Sequence, residues 1–201
     1  MANRVIFHVD ANSAFLSWSA AYRVLVLGEE KDLREVPSVV AGDRESRHSI
    51  ILAKSTPAKK YGIQTGEPLF QALQKYPDLE IIQPDYDLYV QASRHFVEML
   101  RQFSPAVEQY SIDEAWVDMT GTERLWGSPR LAAEQMRKRI YDELGFTVNI
   151  GISVRKGNTV LKDAIKAHEL ITFTVAKGAS VKEYKVAFRN VQNAAPTVTM
   201  N

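Results

Sequence analysis

The chain has 201 residues, of which 45% are hydrophobic and 24% charged, with no cysteine and a formal net charge of +1. That length supports one substantial core, or one core with a small appendage, and the lack of thiols excludes a disulfide framework or a thiolate metal centre. No apolar run reaches the roughly 18 residues of a membrane helix and no N-terminal apolar segment reads as a secretion signal, so a soluble, cytoplasmic protein without membrane contact is expected.

Arg4-Val-Ile-Phe-His-Val-Asp10 opens with apolar or nearly apolar residues lacking helical spacing, which predicts a strand buried on both faces. Asp10 ends it, a position where sheet rims hold sites, although Asp is also a common helix-entry residue. Ser13 to Leu27 reads as a buried helix stopped by Gly28, and Glu29 to Glu35 as a charged loop. Pro37–Ala41 and Ser49–Ala53 predict two strands joined by the polar Gly42–His48 turn. Thr56 is the expected N-cap of a short helix with Pro57 in its first turn and Gly62 at its end. Glu67 to Tyr76 predicts another short helix closed by Pro77, and Leu79 to Gln83 a strand. From Asp87 to Phe103, Tyr89, Ala92, Phe96, Met99, Leu100 and Phe103 form a helical stripe.

Val107 to Met119 reads as a tight β-hairpin with Asp113 and Glu114 at its apex. Adjacent carboxylates repel, and burying them without a cation is costly; Mg²⁺, which takes oxygen ligands, would resolve the conflict. A solvated turn could carry the same two acids. Ser128-Pro129 predicts the start of a helix with Leu131, Met136, Ile140 and Leu144 on one face and Gly145 past its end. Thr147 to Ile152 predicts the next strand. Asn158 to Ile171 reads as a helix, Thr172–Ala176 and Glu183–Arg189 as a hairpin, and residues 191–201 as a disordered tail. Without residues 36–83, the order is β, α, α, β-hairpin, α, β. This is an α+β arrangement close to a ferredoxin-like split βαβ unit. Residues 1–153 hold 17 Lys/Arg against 21 Asp/Glu, and residues 154–201 hold 8 against 3, so an acidic half precedes a basic one. That suits a metal site beside a phosphate-contacting surface, or an ordinary solvated basic surface.

Four segments follow one another in a familiar order: Phe7-His-Val-Asp-Ala-Asn-Ser-Ala-Phe15, Lys54-Ser-Thr-Pro-Ala-Lys-Lys-Tyr-Gly-Ile-Gln-Thr-Gly66, Tyr110-Ser-Ile-Asp-Glu-Ala115 and Asn149-Ile-Gly-Ile-Ser153. Together they resemble the DinB/UmuC-like (ImpB/MucB/SamB) Y-family translesion DNA polymerases over roughly residues 4 to 156. The resemblance implies a ferredoxin-like palm formed by 1–35 and 84–156, a fingers insert at 36–83, a divergent helix-hairpin appendage at 157–190 and the tail at 191–201.

The resemblance also implies the chemistry. Asp10, Asp113 and Glu114 would hold two Mg²⁺ ions, with Mn²⁺ able to substitute and the backbone carbonyl of Ala11 as a further ligand. Phe15 falls at the family's steric gate, which rejects a 2′-hydroxyl, although an apolar residue early in a helix also suits core packing. Lys59 falls where many relatives carry a triphosphate-binding Arg; it keeps the charge and loses the bidentate fork. Thr56 stands at a place often held by Tyr, and Ser13 would lie near the phosphates unless it serves only as a helix-entry residue. Lys156 matches a triphosphate lysine, but Arg155 replaces the family's Asn and Gly157-Asn158 interrupts the segment that should follow. The four histidines show no ligand spacing and read as core or surface residues.

Primer-template DNA and dNTPs are the implied partners. Relatives continue into thumb and little-finger domains that the last 45 or so residues do not resemble, so a partner supplying that grip is one expectation. No clamp-binding peptide is evident in residues 191–201. Two alternatives stay open: a non-catalytic DNA- or polymerase-binding fragment of the same lineage, and another palm-type enzyme such as a nucleotidyl cyclase.

Overall fold

The computed structural model describes residues 3–44, 48–156, 170–177, 180–187 and 197–199. Its elements are β1 (Asn3–Ala11), α1 (Ala14–Leu25), β2 (Ser38–Ala41), β3 (Ile51–Lys54), α2 (Thr56–Lys59), α3 (Leu69–Lys75), β4 (Glu80–Ile82) and α4 (Tyr86–Arg101), followed by β5 (Val107–Gln109), β6 (Glu114–Asp118), α5 (Glu123–Trp126), α6 (Pro129–Leu144), β7 (Val148–Lys156), β8 (Leu170–Lys177), β9 (Ser180–Ala187) and β10 (Thr197–Thr199). They divide into two compact units. Met1–Asp10, Val97–Arg139 and Val148–Asn201 form the first; Ala11–Phe96 and Ile140–Thr147 form the second. Among the described residues no helix is long and apolar enough to cross a membrane.

The first unit is built on a seven-stranded sheet in the order β10-β9-β8-β7-β1-β6-β5. Its β7-β1-β6-β5 part carries the ferredoxin-like arrangement, in which the first and last strands of the motif lie side by side within the sheet. The mixed helix-and-strand α+β fold is therefore as expected. Its strand β1 corrects one expectation, that both faces would be buried. Val5, Phe7 and Val9 are buried, while Arg4, Ile6, His8 and Asp10 are only half-buried. Across the antiparallel ladder, β6 alternates in phase: Ala115 and Val117 are buried, and Glu114, Trp116 and Asp118 half-buried. Directly opposed residues share a face, so one face of this strand pair belongs to the core and the other gathers polar side chains.

In α6, Ser128 accepts a hydrogen bond from the Leu131 N–H (3.3 Å) and Pro129 sits at the first position, the expected start. The expected apolar face needs correcting. Ala132, Ala133, Met136 and Ile140 are buried, whereas Leu131 is 48% exposed. The short helix α5 was not anticipated; its Trp126 Nε1–H donates to the Phe103 carbonyl (2.9 Å).

At the other edge, β8 and β9 pair in register from Leu170↔Ala187 to Lys177↔Ser180, the hairpin that was expected. The preceding helix expected over residues 158–171 falls mostly outside the described residues, but its last two, Leu170 and Ile171, lie in β8. Residues 197–199, expected to lie in a disordered tail, pair with β9 as β10. Thr-Val-Thr is β-branched throughout, which favours an extended backbone.

The second unit contains a three-stranded sheet, β3-β2-β4, with β2 antiparallel to β3 and parallel to β4. Val39, Ala41, Ile51, Ala58, Ile63, Leu69, Ala72 and Leu79 form its buried core. Helix α2 is capped by Ser55 and not by Thr56: the Ser55 Oγ accepts from the Ala58 N–H (3.1 Å) and donates to the Val36 carbonyl (2.7 Å). The Thr56-Pro57 pair falls inside the helix, so the residue before it is the one left in extended conformation and free to cap. A second cluster packs Trp18 against Phe146 and Tyr89, with ring centroids 6.1 Å apart in both pairs.

Candidate active site

The β1–β6 ladder places Asp10 directly opposite Glu114 at its end, and Asp113 immediately precedes β6. Residues 110–113 close the hairpin, with the Tyr110 and Ser111 N–H groups both donating to the Glu114 carbonyl, at 2.9 and 3.2 Å. Alternating apolar residues fix the register of both strands, because a slip of one residue would turn Val5, Phe7 and Val9 away from the core. The same register sets Asp10 opposite Glu114, which follows Asp113 directly in the chain.

Their electrostatics are strained. Burial pushes the Asp10 carboxyl up to about 7, and a hydrogen bond with Glu114, then the charges of Glu114 and Asp113, push the same way. Asp113 is held by Ser111, whose hydroxyl donates to Oδ1 at 2.7 Å. Among the described residues, no group of three or more His, Cys, Asp or Glu side chains is placed so that it could hold a metal ion. The donor chemistry nevertheless fits Mg²⁺, which prefers carboxylate oxygens and fills its remaining positions with water and phosphate. Asp10 and Glu114 share a hydrogen bond, and Asp113 accepts one from Ser111.

His8 was read from the sequence as a core or surface residue. It stands opposite Trp116, stacks on it with centroids 4.1 Å apart, and brings Nε2 within 3.7 Å of the Glu114 carboxylate. Burial holds its imidazole below the ordinary histidine range, with Glu114 opposing that shift. Its spacing of two residues from Asp10 on a strand was the available signal, since such residues share a face.

The second unit carries the other expected residues. Ser13 has φ 47° and ψ 51°, the left-handed region, and its side chain makes no capping bond to α1. It is nevertheless the helix-entry residue, its carbonyl accepting from the Ser17 N–H at 2.9 Å, in a conformation uncommon for a non-glycine residue. Phe15 is half-buried and lies flat on Tyr89, centroids 4.6 Å apart at 15°, with Tyr86 edge-on at 6.5 Å. Thr56 and Lys59 are exposed on α2. Lys54 is held below the ordinary lysine range by burial and then by the charge of Lys59, with Glu67 opposing and Lys75 adding to the shift. Lys59 therefore stands in a cationic neighbourhood. Lys156 ends β7, and its side chain lies outside the described residues.

Both the sequence and the fold have known relatives. Over 154 residues, 77% of the chain, the sequence is 51% identical to the DNA polymerase IV of Clostridium acetobutylicum, covering 38% of that protein. It is 40% identical over the same length to the DNA polymerase IV of Clostridium kluyveri, covering 37%. The chain thus spans less than half the length of these curated relatives. Among solved structures, DinB from Sulfolobus solfataricus superposes with a TM-score of 0.62 at 22% identity, over 78% of this chain and 43% of that one. A Y-family DNA polymerase chimera gives 0.62 at 22%, over 81% and 45%. At that identity the structural likeness establishes the fold. Residues 9–157 match the model of the impB/mucB/samB family, and the chain belongs to that family.

Proposed function

We propose that the chain provides the palm and fingers of a translesion DNA polymerase, acting in the cytoplasm on primer-template DNA and transferring a nucleotide from a dNTP to a primer 3′-hydroxyl. The observation that carries this reading is the cross-strand pair Asp10–Glu114 with Asp113 beside it. The 3′-oxygen attacks the α-phosphorus, the bond to the β-phosphate oxygen breaks, and pyrophosphate leaves. Two Mg²⁺ ions, when bound, supply charge neutralisation at the attacking and leaving oxygens. Asp10 and Asp113 would hold both ions, Glu114 the one on the primer side, and the Ala11 carbonyl would add a ligand. Lys59 and Lys156 would offset the triphosphate charge, with Ser13 and Thr56 as hydrogen-bonding neighbours. The Phe15 ring, held flat by Tyr89, would exclude a 2′-hydroxyl. In this reading residues 1–35 and 84–156 are the palm and 36–83 the fingers.

Primer extension on a short primed template with Mg²⁺ or Mn²⁺ tests the proposal, with wild type beside Asp113→Ala and Phe15→Ala. Expected are metal-dependent extension by the wild type, a loss on the order of 10²-fold or more in Asp113→Ala, and ribonucleotide incorporation by Phe15→Ala. Equal traces from folded wild type and Asp113→Ala would contradict catalysis and favour a DNA-binding role for the same fold.

A further inference from the structure

We propose that His8 is a positioning residue for Glu114, holding that carboxylate in the orientation in which it accepts a divalent cation. The inference rests on the metal reading of Asp10, Asp113 and Glu114. Three observations converge on it. The β1–β6 register sets His8 opposite Trp116, one cross-strand pair of the same face away from Asp10 and Glu114. Stacking on Trp116, with centroids 4.1 Å apart and planes 28° apart, fixes the plane of the imidazole, and Tyr110 meets Trp116 nearly edge-on at 6.4 Å. The ring edge then presents Nε2 to Glu114 Oε2 at 3.7 Å, just beyond a hydrogen bond.

The third observation is that His8 Nε2 is shielded from solvent and has no hydrogen-bond partner. Packing does not account for that atom. A phenyl ring at position 8 would stack on Trp116 equally well and would bury no polar nitrogen. A buried polar atom left unpaired is a cost that native structures seldom carry without a use. A movement of Glu114 by less than about 1 Å brings its oxygen within ordinary hydrogen-bonding distance of Nε2. Glu114 would then be held on one oxygen by His8 and present the other to the cation. Asp113 already has the equivalent support from the Ser111 hydroxyl at 2.7 Å, and outer hydrogen bonds of this kind orient metal-binding carboxylates generally.

Mn²⁺ binding to the full chain, followed by electron paramagnetic resonance of the free ion, tests this with wild type, His8→Phe, His8→Gln and Asp113→Ala. His8→Phe keeps the stack and removes the nitrogen. It should weaken Mn²⁺ binding by roughly 10-fold or more while melting no lower than the wild type. His8→Gln, which restores a donor, should recover part of the affinity. His8→Phe binding Mn²⁺ as tightly as the wild type would overturn the proposal, as would a lowered melting temperature with unchanged affinity, the mark of a packing role alone. Mn²⁺ binding that is insensitive to Asp113→Ala would instead overturn the metal reading beneath it.

Discussion

Arg4 and Asp118 lie on the same polar face of the β1–β6 pair as Asp10 and Glu114, and they show how this sheet treats a carboxylate that has a built-in cation. Burial alone would raise the Asp118 carboxyl, but hydrogen bonds from Thr120 and Arg4, together with the Arg4 charge, outweigh it and hold the group below its ordinary range. A carboxyl lowered in the folded state adds stability that is present above its unfolded value, near 3.9, and is lost as pH falls through the folded value. Arg4→Gln should therefore cost about 1 kcal/mol at pH 7, and the gap to wild type should narrow below pH ~4 in urea titrations. A gap unchanged with pH would refute the pairing. Asp10 shifts the opposite way, to about 7, because burial and then the neighbouring Glu114 and Asp113 all raise it. The three acids were legible because two adjacent carboxylates between β-forming runs, and an Asp ending an apolar strand, are visible in one dimension. For His8 the sequence offers only its two-residue spacing from Asp10, because its partners Trp116 and Glu114 are more than 100 positions away and are set by strand register.

At the level of elements, turn chemistry and periodicity were readable and fine phase was not. Gly145 was expected just past a helix end, and it adopts φ +75° there. A Cβ added to it would lie 2.5 Å from Leu25 Cδ1 and 3.3 Å from the Ala21 Cβ, so both the backbone and the neighbouring α1 oppose substitution. Gly145→Ala should lower stability by about 1–2 kcal/mol, read as a fall in melting temperature; an unchanged or higher value would contradict the strain. The face of α6 was misjudged because Leu131 is apolar yet sits about 100° around the helix from Ala132, covering the turn at Gly127. Ser55 was overlooked as the α2 cap because Thr56 is an equally good capping type one residue on, and only the backbone decides between them. Strand β10 escaped notice because three β-branched residues favour an extended backbone without revealing the pairing with β9.

For the whole molecule, the β7-β1-β6-β5 order sets Asp10 and Glu114 opposite each other within the stretch that matches the impB/mucB/samB family, residues 9–157. The contrast between the acidic first 153 residues and the basic last 48 is consistent with a cation-dependent centre working beside a phosphate backbone. The proposed catalysis requires that Asp10, Asp113 and Glu114 receive divalent metal. An anomalous difference map from crystals grown with Mn²⁺ and a dNTP tests that directly. Density is expected about 2 Å from carboxylate oxygens of all three residues, with Asp113 swung away from Ser111. Mn²⁺ found elsewhere, or Asp113 still bonded to Ser111 with no density beside the three acids, would contradict it.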